Sequence, residues 1–420
     1  MAPSGAARAA VERLAAQSAP KAGMVLHASF GIEVVAMRVL FAVSPGFDHL
    51  YPLSGLAWAF RTAGHDVVVA TSGVSTQAAA HAGFAVREVS PGADFASIFP
   101  KVGTPEERTR AMRERGLAIA ETLETPDVIL EKFSRVSDLM LDGILEFATA
   151  WQPDLIVYSK LQGAALVTAR ALGIPAVEHG FSFLREGTMA ERFLPYLAPL
   201  YERVGVPVEL PSITSLYFAP EDMMHGEGEG WTMRSVPFHG GGTLPDWMAR
   251  PKERPRVCVT LGTTVPHVAG IGSLESVLTA AADVDAEFVL ALGDDPDLDS
   301  LGTLPENVRV VGWTPLSTLL TTCDAIIHHG GSGTTLTAAH AAVPQLAMPH
   351  GADNWINAAM VERCGLGLNR DPEQVDAQLL KTLLHDTELR ASARAAATAL
   401  AAQPGPDQIV PRLLGLLDAN

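Results

Sequence analysis

The chain has 420 residues and is 48% hydrophobic, with 37 glycines and 29 prolines. This length allows two domains with separate cores, and the composition is typical of a globular α/β protein with many short connections. The formal net charge of −17 at pH 7 repels nucleic acid backbones and anionic lipid, so neither is expected as a partner, and an anionic ligand must be captured locally.

Residues 1–36 form an extension before the first clear strand. They are rich in alanine, and a weak apolar run from Met24 to Ala36 is interrupted by His27 and Glu33. A secretion signal would place basic residues first and then an unbroken apolar segment. We therefore predict a disordered or loosely helical extension and a cytoplasmic protein.

From Arg38 onward, short β-forming runs alternate with longer helical patterns, which is typical of βαβ units in a parallel sheet. The strands predicted in the first half are 38–43, 66–70, 85–89, 154–158 and 176–178. The helices predicted there are 49–63, 75–82 and two or three within 105–150. Residues 37–236 are accordingly assigned to one Rossmann-like domain.

Residues 237–255 are predicted to be an interdomain linker that can bend, since they contain Gly240–Gly242 and four prolines and lack periodicity. The second half repeats the alternation. Its predicted strands are 256–261, 287–292, 308–311, 324–328 and 345–348. Its predicted helices are 271–283, 315–323, 334–342, 355–364 and 375–402.

The second Rossmann-like domain is assigned to residues 256–404, and residues 405–420 are predicted to form a C-terminal helix. Two doubly wound parallel-sheet domains joined in this way leave a cleft at the carboxyl ends of both sheets, where ligands bind. The three cysteines are odd in number and far apart in the sequence, and no Cys/His cluster occurs. A disulfide framework, a zinc site and a membrane-spanning segment are therefore not expected.

The strongest local signal follows the predicted strand 324–328, where His328 and His329 lead into a glycine-rich turn and then a helix. Glycines let the backbone approach a ligand closely, and the first N–H groups of a helix are unpaired donors. The imidazole of His329 and nearby hydroxyls add further donors. The turn is a candidate diphosphate site or, alternatively, a tight turn without a ligand. Its residues are Gly330, Gly331, Ser332, Gly333 and Thr334.

Three further loops follow predicted strands of the same domain. Thr263 lies in a Gly-Thr-Thr turn that can offer hydroxyl and backbone donors. Trp313 follows strand 308–311, where its indole could stack on a planar base or simply pack in the core. Asp353 and Asn354 suit sugar hydroxyls, although alone they could equally cap the next helix.

The segment His329–Thr334, followed by Pro344 and then 349–357, resembles the nucleotide-sugar signature of family 1 glycosyltransferases of GT-B fold. The resemblance covers the chain from Met37 almost to its C-terminus. Other segments resemble the antibiotic-pathway subset, among which the calicheamicin (enediyne) sugar transferases are the most similar. These segments are 290–294, 302–307 and 311–316.

The resemblance implies a GT-B fold, in which two Rossmann-like domains face each other across a cleft. It implies a thymidine diphosphate (TDP) deoxysugar as donor, no metal or other cofactor, and a small-molecule acceptor; a homodimer is common in the family. The residues implied to bind the diphosphate are Thr263, His329 and the turn Gly330–Thr334. Trp313 would flank the base, while Asp353 and Asn354 would hold the sugar. Many relatives have Gln where this chain has Asn354.

His49 begins a helix after the predicted strand 38–43, and the resemblance matches it to the catalytic base. A neutral imidazole at a helix N-terminus can take a proton from an attacking hydroxyl. Relatives often have an acidic residue after the strand 154–158, where this chain has Ser159, so the partner of His49 is unassigned. Phe47, His179 and Phe181 are expected to contact the acceptor.

The predicted reaction is inverting transfer of a deoxysugar to a hydroxyl of an aromatic or polyketide-type natural product, such as an enediyne. Two alternatives remain at this point. A nucleotide-sugar epimerase of the same fold would need no acceptor pocket. A non-catalytic partner of another enzyme should lack either the base or the diphosphate turn, and this chain retains both.

Overall fold

The computed structural model describes residues 25–27, 33–294 and 296–417, which form two domains, each with a parallel β-sheet buried on both faces. The strands are β1 (Val25–His27), β2 (Glu33–Val35), β3 (Arg38–Ala42), β4 (Asp66–Thr71), β5 (Ala85–Glu88), β6 (Leu155–Ser159), β7 (Ala176–His179), β8 (Leu184–Glu186), β9 (Ile213–Tyr217), β10 (His225–Glu227), β11 (Trp231–Thr232), β12 (Arg256–Thr260), β13 (Glu287–Ala291), β14 (Val308–Val311), β15 (Ala325–His328), β16 (Gln345–Ala347) and β17 (Gly367–Asn369). The α-helices are α1 (Phe47–Thr62), α2 (Val74–His81), α3 (Pro105–Thr122), α4 (Asp127–Trp151), α5 (Gly163–Leu172), α6 (Met189–Val204), α7 (Val265–Ala269), α8 (Glu275–Ala281), α9 (Leu316–Leu320), α10 (Ser332–His340), α11 (Asn354–Arg363), α12 (Ala377–His385), α13 (Thr387–Ala401) and α14 (Pro406–Leu414).

The first domain contains a seven-stranded sheet in the order β11-β9-β7-β6-β3-β4-β5. Along β3, Leu40 and Ala42 face one apolar cluster, while Val39 and Phe41 face the cluster on the opposite side of the sheet. Parallel strands buried on both faces are continuous apolar runs. The sequence therefore located β3 and β6 to within a residue or two.

The second domain contains a six-stranded parallel sheet in the order β14-β13-β12-β15-β16-β17. Helices cover both of its faces, and β12 and β15 lie at its centre. The predicted architecture of two Rossmann-like, doubly wound domains is confirmed. The predicted helix 375–402 is divided into α12 and α13 at Asp386, whose carboxylate accepts the N–H groups of Glu388 and Leu389.

From β3 onward, several elements were not predicted: β8–β11, β17, α5, α6 and α7. Helix α6 contains Pro195 and Pro199, residues that normally interrupt a helical pattern. Strand β17 begins at Gly367, where a Cβ atom would lie 1.8 Å from the carbonyl oxygen of Gln345. Glycine is required there because β17 approaches β16 so closely, and a short glycine-containing strand gives little periodic signal.

The C-terminal helix α14 leaves the second domain and packs on the first. Ile409, Val410 and Leu413 are buried in the same cluster as Phe41 and Leu50. The predicted C-terminal helix is present, but its packing on α1 was not foreseen. As a result, the chain crosses between the domains twice.

The interval 1–36, expected to be disordered or loosely helical, contains β1 and β2, which pair antiparallel from Val25↔Val35 to His27↔Glu33. The other residues of this interval up to 32, and residues 418–420 of the predicted C-terminal helix, lie outside the described residues. Within the part of the chain that the structure describes, no helix combines the length and the apolarity that crossing a bilayer requires.

The predicted linker 237–255 is packed between the domains. The ring of Phe238 makes edge-to-face contacts with Tyr51 and Trp58 of α1, at centroid distances of 5.2 and 4.7 Å. On the other side, the hydroxyl oxygen of Ser235 lies 2.8 Å from Nε2 of His340 at the end of α10. The linker and the residues just before it therefore contact both α1 and α10, the helices that begin at the cleft.

Candidate active site

The site lies where the carboxyl ends of the two sheets face each other. In the first domain, β3 ends at Ala42 and a short loop leads into α1. In the second, β15 ends at His328 and the glycine-rich turn leads into α10. Parallel strands put these ends on one edge of each sheet, which brings the separately predicted loops together.

His49 lies in the first turn of α1 and is 4% exposed. Its ring packs edge-on against Phe181 at a centroid distance of 4.5 Å and lies tilted against Phe133 at 5.3 Å. Nδ1 of His49 makes no hydrogen bond to any described residue. Burial lowers the pKa of His49, and the Asp48 carboxylate opposes this shift. The neutral ring therefore has a buried nitrogen whose hydrogen-bonding capacity is not used by the described residues.

Ser159 stands where the family resemblance would place an acidic partner of His49, and in the structure this serine contacts the backbone. Its hydroxyl oxygen accepts the N–H of Ser44 at 3.2 Å. Gln162 donates to the hydroxyl of Ser44 at 3.2 Å. These contacts hold the loop that precedes α1, so Ser159 supports the position of His49 without orienting its ring.

The two adjacent histidines of the glycine-rich turn have different roles. Nδ1 of His328 accepts the N–H of Gly330 at 3.1 Å, so Nε2 carries the proton and donates to Oε1 of Gln345 at 2.9 Å. His328 is fully buried, and burial lowers its pKa to about 4. It is thus a neutral structural residue that holds the turn. The sequence placed it beside the site without distinguishing this role.

The glycine turn is held open toward the cleft. Gly330 adopts a φ of +84°, and Asn357 donates to its carbonyl oxygen at 2.7 Å. Gly331 precedes α10, which begins at Ser332. The first N–H groups of α10, on Ser332, Gly333 and Thr334, have no acceptor within the helix and are suited to an anion.

His329 fits between two glycines. A Cβ atom on Gly262 would lie 2.5 Å from its Cε1, and one on Gly331 would lie 2.4 Å from its Nε2. Burial lowers the pKa of His329 to about 3, with His328 and His350 acting in the same direction. The ring is therefore neutral and offers one N–H. Thr263 follows Gly262 in the same turn and is half-buried.

Asp353 precedes α11, and its buried Oδ2 has no hydrogen-bond partner within the described residues. Burial raises the pKa of Asp353 to about 6; the nearby Asn357 amide acts in the opposite direction. Asp48 and Lys160 of the first domain also influence this carboxyl. Asn354 is buried beside it.

Trp313 is half-buried, and its backbone N–H donates to Asp294 at 2.5 Å. Its ring lies 6.1 Å from that of Phe47, which stacks on Tyr51 at 5.4 Å. Phe47 was predicted to contact the acceptor. The structure places it beside the predicted nucleobase residue, at the start of α1.

His179 and Phe181 lie at and just after the end of β7. His179 is fully buried and its Nδ1 lies 2.7 Å from the carbonyl oxygen of Gly180, while its Nε2 has no partner in the described chain. Burial lowers the pKa of His179 to about 4. Phe181 contacts His49 directly, as described above. Phe133 of α4, which also contacts His49, was missed because nothing local to α4 indicates which of its rings faces the cleft.

Helix α3 of the first domain crosses to the second. Arg113 forms a two-pronged ion pair with Asp371, at 2.8 and 3.0 Å, and lies over the ring of Trp355. At Gly116, a Cβ atom would lie 2.4 Å from the Trp355 ring. The helix covers one side of the cleft. No cluster of three potential metal ligands occurs in residues 25–27, 33–294 and 296–417.

Comparison with known proteins gives two family matches. The model of the Erythromycin biosynthesis protein CIII-like N-terminal domain matches residues 58–262, and that of its C-terminal domain matches residues 275–416. The elloramycin glycosyltransferase of Streptomyces olivaceus is 38% identical over 394 residues, which cover 90% of this chain and 97% of that protein. The aclacinomycin-T 2-deoxy-L-fucose transferase of Streptomyces galilaeus is 31% identical over 424 residues, 90% of this chain and 95% of that one.

Solved structures of glycosyltransferases are also similar to this chain. The glycosyltransferase SnogD from Streptomyces nogalater superimposes with a TM-score of 0.79 at 38% identity, covering 91% of this chain and 99% of that one. The glycosyltransferase SsfS6 of Streptomyces sp. SF2575, complexed with thymidine diphosphate, gives a TM-score of 0.73 at 27% identity over 90% of this chain and 99% of its own. Both likenesses extend across the two domains.

Proposed function

This chain belongs to the Erythromycin biosynthesis protein CIII-like family of antibiotic-pathway glycosyltransferases, and on that basis we propose that it transfers a deoxysugar from TDP to a hydroxyl of a polyketide aglycone, with inversion at the anomeric carbon. The predicted GT-B fold, the antibiotic-pathway family and the enzyme class are confirmed. The donor, the acceptor and the roles of individual residues belong to the proposal.

One observation supports the proposal above the others. The buried, unpartnered imidazole of His49 and the first turn of α10 meet across the cleft, joined through Phe181. The Phe181 ring lies 4.5 Å from His49, and the Phe181 carbonyl oxygen lies 2.6 Å from the Ser332 hydroxyl. Because both contact Phe181, the base and the anion-binding helix start border the same part of the cleft, where they can act on opposite sides of one sugar.

The donor side has the groups that a departing diphosphate needs. The N–H groups of Ser332, Gly333 and Thr334 and the neutral His329 ring can donate to it, and these donors stabilise it most when its charge is greatest. Trp313 would flank the base, and Thr263 would reach the phosphates. The TDP bound to the similar SsfS6 structure favours TDP over other nucleoside diphosphates.

On the acceptor side, His49 would remove the proton of the attacking hydroxyl. The new bond joins the acceptor oxygen to the anomeric carbon as the bond from that carbon to the diphosphate oxygen breaks, and TDP leaves with the electron pair. Asp353 and Asn354 would hold the sugar hydroxyls. The apolar wall formed by Phe133 and Phe181 suits a polyketide. An enediyne acceptor stays a prediction within that class.

The two alternatives have less support. An epimerase needs no apolar wall next to its base, whereas His49 lies between two phenylalanine rings. A non-catalytic partner should have lost one of the two groups that meet at the cleft. The relatives described above are named as transferases.

The donor assignment is tested by calorimetric titration of the full chain with TDP and with uridine diphosphate. We expect TDP to bind more tightly, and His329→Ala to weaken TDP binding by about 10-fold or more, since a hydrogen bond to a charged group contributes roughly 1.5–3 kcal/mol. His385→Ala, at an exposed position on α12, is the control and should bind TDP normally. If the folded wild type bound neither nucleotide, the proposed donor site would be wrong.

The pH dependence of the reaction tests His49. Because burial lowers the pKa of His49 from 6.5, the ring is neutral at pH 7 and is protonated only at lower pH. We therefore expect the acid limb of the kcat/KM profile to lie below pH 6.5. Asp48 raises this pKa, so Asp48→Asn should move the limb to still lower pH. A limb that shifted upward in Asp48→Asn, or that lay above 6.5, would contradict the assignment.

A further inference from the structure

The Ser332 hydroxyl makes the shortest link between the two halves of the site. It donates to the carbonyl oxygen of Phe181 at 2.6 Å, across 151 positions of sequence. Ser332 is the first residue of α10, in the second domain. Phe181 belongs to the loop between β7 and β8, in the first. The bond therefore exists only while the two domains are together.

The Phe181 loop is attached to its own domain on either side of this bond. The N–H of Gly180 donates to the carbonyl oxygen of Leu216 at 2.9 Å, and the N–H of His225 donates to the carbonyl oxygen of Phe183 at 2.8 Å. Between these anchors, the Phe181 carbonyl takes its donor from the other domain. If the cleft opened, this carbonyl would need water as a replacement, and the position of the Phe181 ring would be less well defined.

The same bond limits what the Ser332 side chain can do for a diphosphate. A serine hydroxyl has a single proton to donate. With that proton directed at Phe181, the side chain presents lone pairs to any further anion. The backbone N–H of Ser332, in the first turn of α10, stays available to the anion. The backbone N–H of Ser332 therefore faces the donor side of the cleft, while its side chain binds the first domain.

We propose that Ser332 is a positioning residue whose hydroxyl holds the Phe181 ring against His49. When the glycine-rich turn closes onto the first domain, this hydrogen bond also fixes the Phe181 ring beside the proposed base. This rests on the proposed function, which gives His49 and the Gly330–Thr334 turn their roles. It reassigns the Ser332 side chain from the diphosphate to the acceptor domain, while its N–H keeps the role proposed above.

Three variants of the full chain test this. Ser332→Ala removes the hydroxyl, and Ser332→Thr keeps it. Thr335→Val is the matched control, because the Thr335 hydroxyl donates to Gly331 within the same turn, at 2.9 Å, and does not cross the cleft. Each variant is compared with the wild type by hydrogen exchange over residues 180–184, by the proton shifts of the His49 ring, and by TDP titration.

For Ser332→Ala we expect hydrogen exchange of 180–184 to quicken by about 5-fold or more, as a local opening loses a closing bond. The His49 ring protons, assigned with His49→Gln, should lose part of the ring-current shift caused by Phe181. TDP affinity should stay within about threefold of the wild type, because the anion uses backbone N–H groups. Ser332→Thr should restore the exchange rate and the shift, and Thr335→Val should leave both unchanged.

The opposite pattern would overturn the proposal. If Ser332→Ala weakened TDP binding tenfold or more and left the exchange and the His49 shifts unchanged, the hydroxyl would belong to the diphosphate. No change in exchange or shifts, with normal TDP binding, would also overturn it. Hydrogen exchange and the His49 shifts are measured without nucleotide. A wild type that failed to bind TDP would therefore contradict the proposed function, while the exchange and the shifts would still decide the Ser332 proposal.

Discussion

His49→Gln should lower the turnover number by about 10²–10⁴-fold, the usual contribution of a positioned general base. Glutamine keeps much of the volume between Phe133 and Phe181 and cannot accept the proton at neutral pH. Because His49 lies on the acceptor side of the cleft, TDP affinity should change little. Turnover is measured with whichever aglycone of a polyketide panel the wild type converts, and TDP affinity by calorimetry.

The matched control is His81→Gln, at the exposed end of α2, which should keep full turnover. A His49→Gln enzyme that retained more than about a tenth of the wild-type turnover would contradict the role of a general base, given that 10² is the low end of such effects. If TDP affinity fell in parallel with turnover, the substitution would have disturbed the cleft as a whole, and the loss could not be assigned to proton transfer.

Gly262→Ala should reduce TDP affinity by about 10-fold or more, since hydrogen bonds to charged groups contribute about 1.5–3 kcal/mol each. The added Cβ would lie 2.5 Å from Cε1 and 2.8 Å from Nε2 of His329. The imidazole is enclosed on its other side by Gly331, so it must leave the position from which it can donate to a diphosphate. The measurement is a TDP titration combined with thermal unfolding.

Gly262 also has a φ of +66°, where any side chain costs stability. Gly270 separates the two effects, because it has a φ of +78° and no heavy atom within 4 Å of the position a Cβ would take. Gly270→Ala should therefore lose thermal stability through its backbone conformation and keep normal TDP affinity. If both variants bound TDP equally well, the His329 ring would not be a ligand of the diphosphate.

Much of the fold was predictable because its central strands can be recognised from local sequence patterns. Strands β3, β6, β12 and β15 are buried on both faces, so each is a continuous apolar run that needs no partner to be recognised. Where an element has mixed polarity or contains breakers, as α6 does with its two prolines, the local pattern was lost. Such elements form because neighbouring elements bury them, and a single stretch of sequence does not show which elements will be its neighbours.

The candidate site shows the same division. The sequence by itself determined the strand–turn–helix segments that contain His49 and the Gly330–Thr334 turn, since glycine content, helix starts and strand ends are properties of a few adjacent residues. Only the tertiary structure decided that Phe133 contacts His49, that Phe47 lies beside Trp313, and that the Ser332 hydroxyl faces Phe181. These contacts join residues far apart in sequence, and the packing of two domains, together with the return of α14 onto α1, sets their distances.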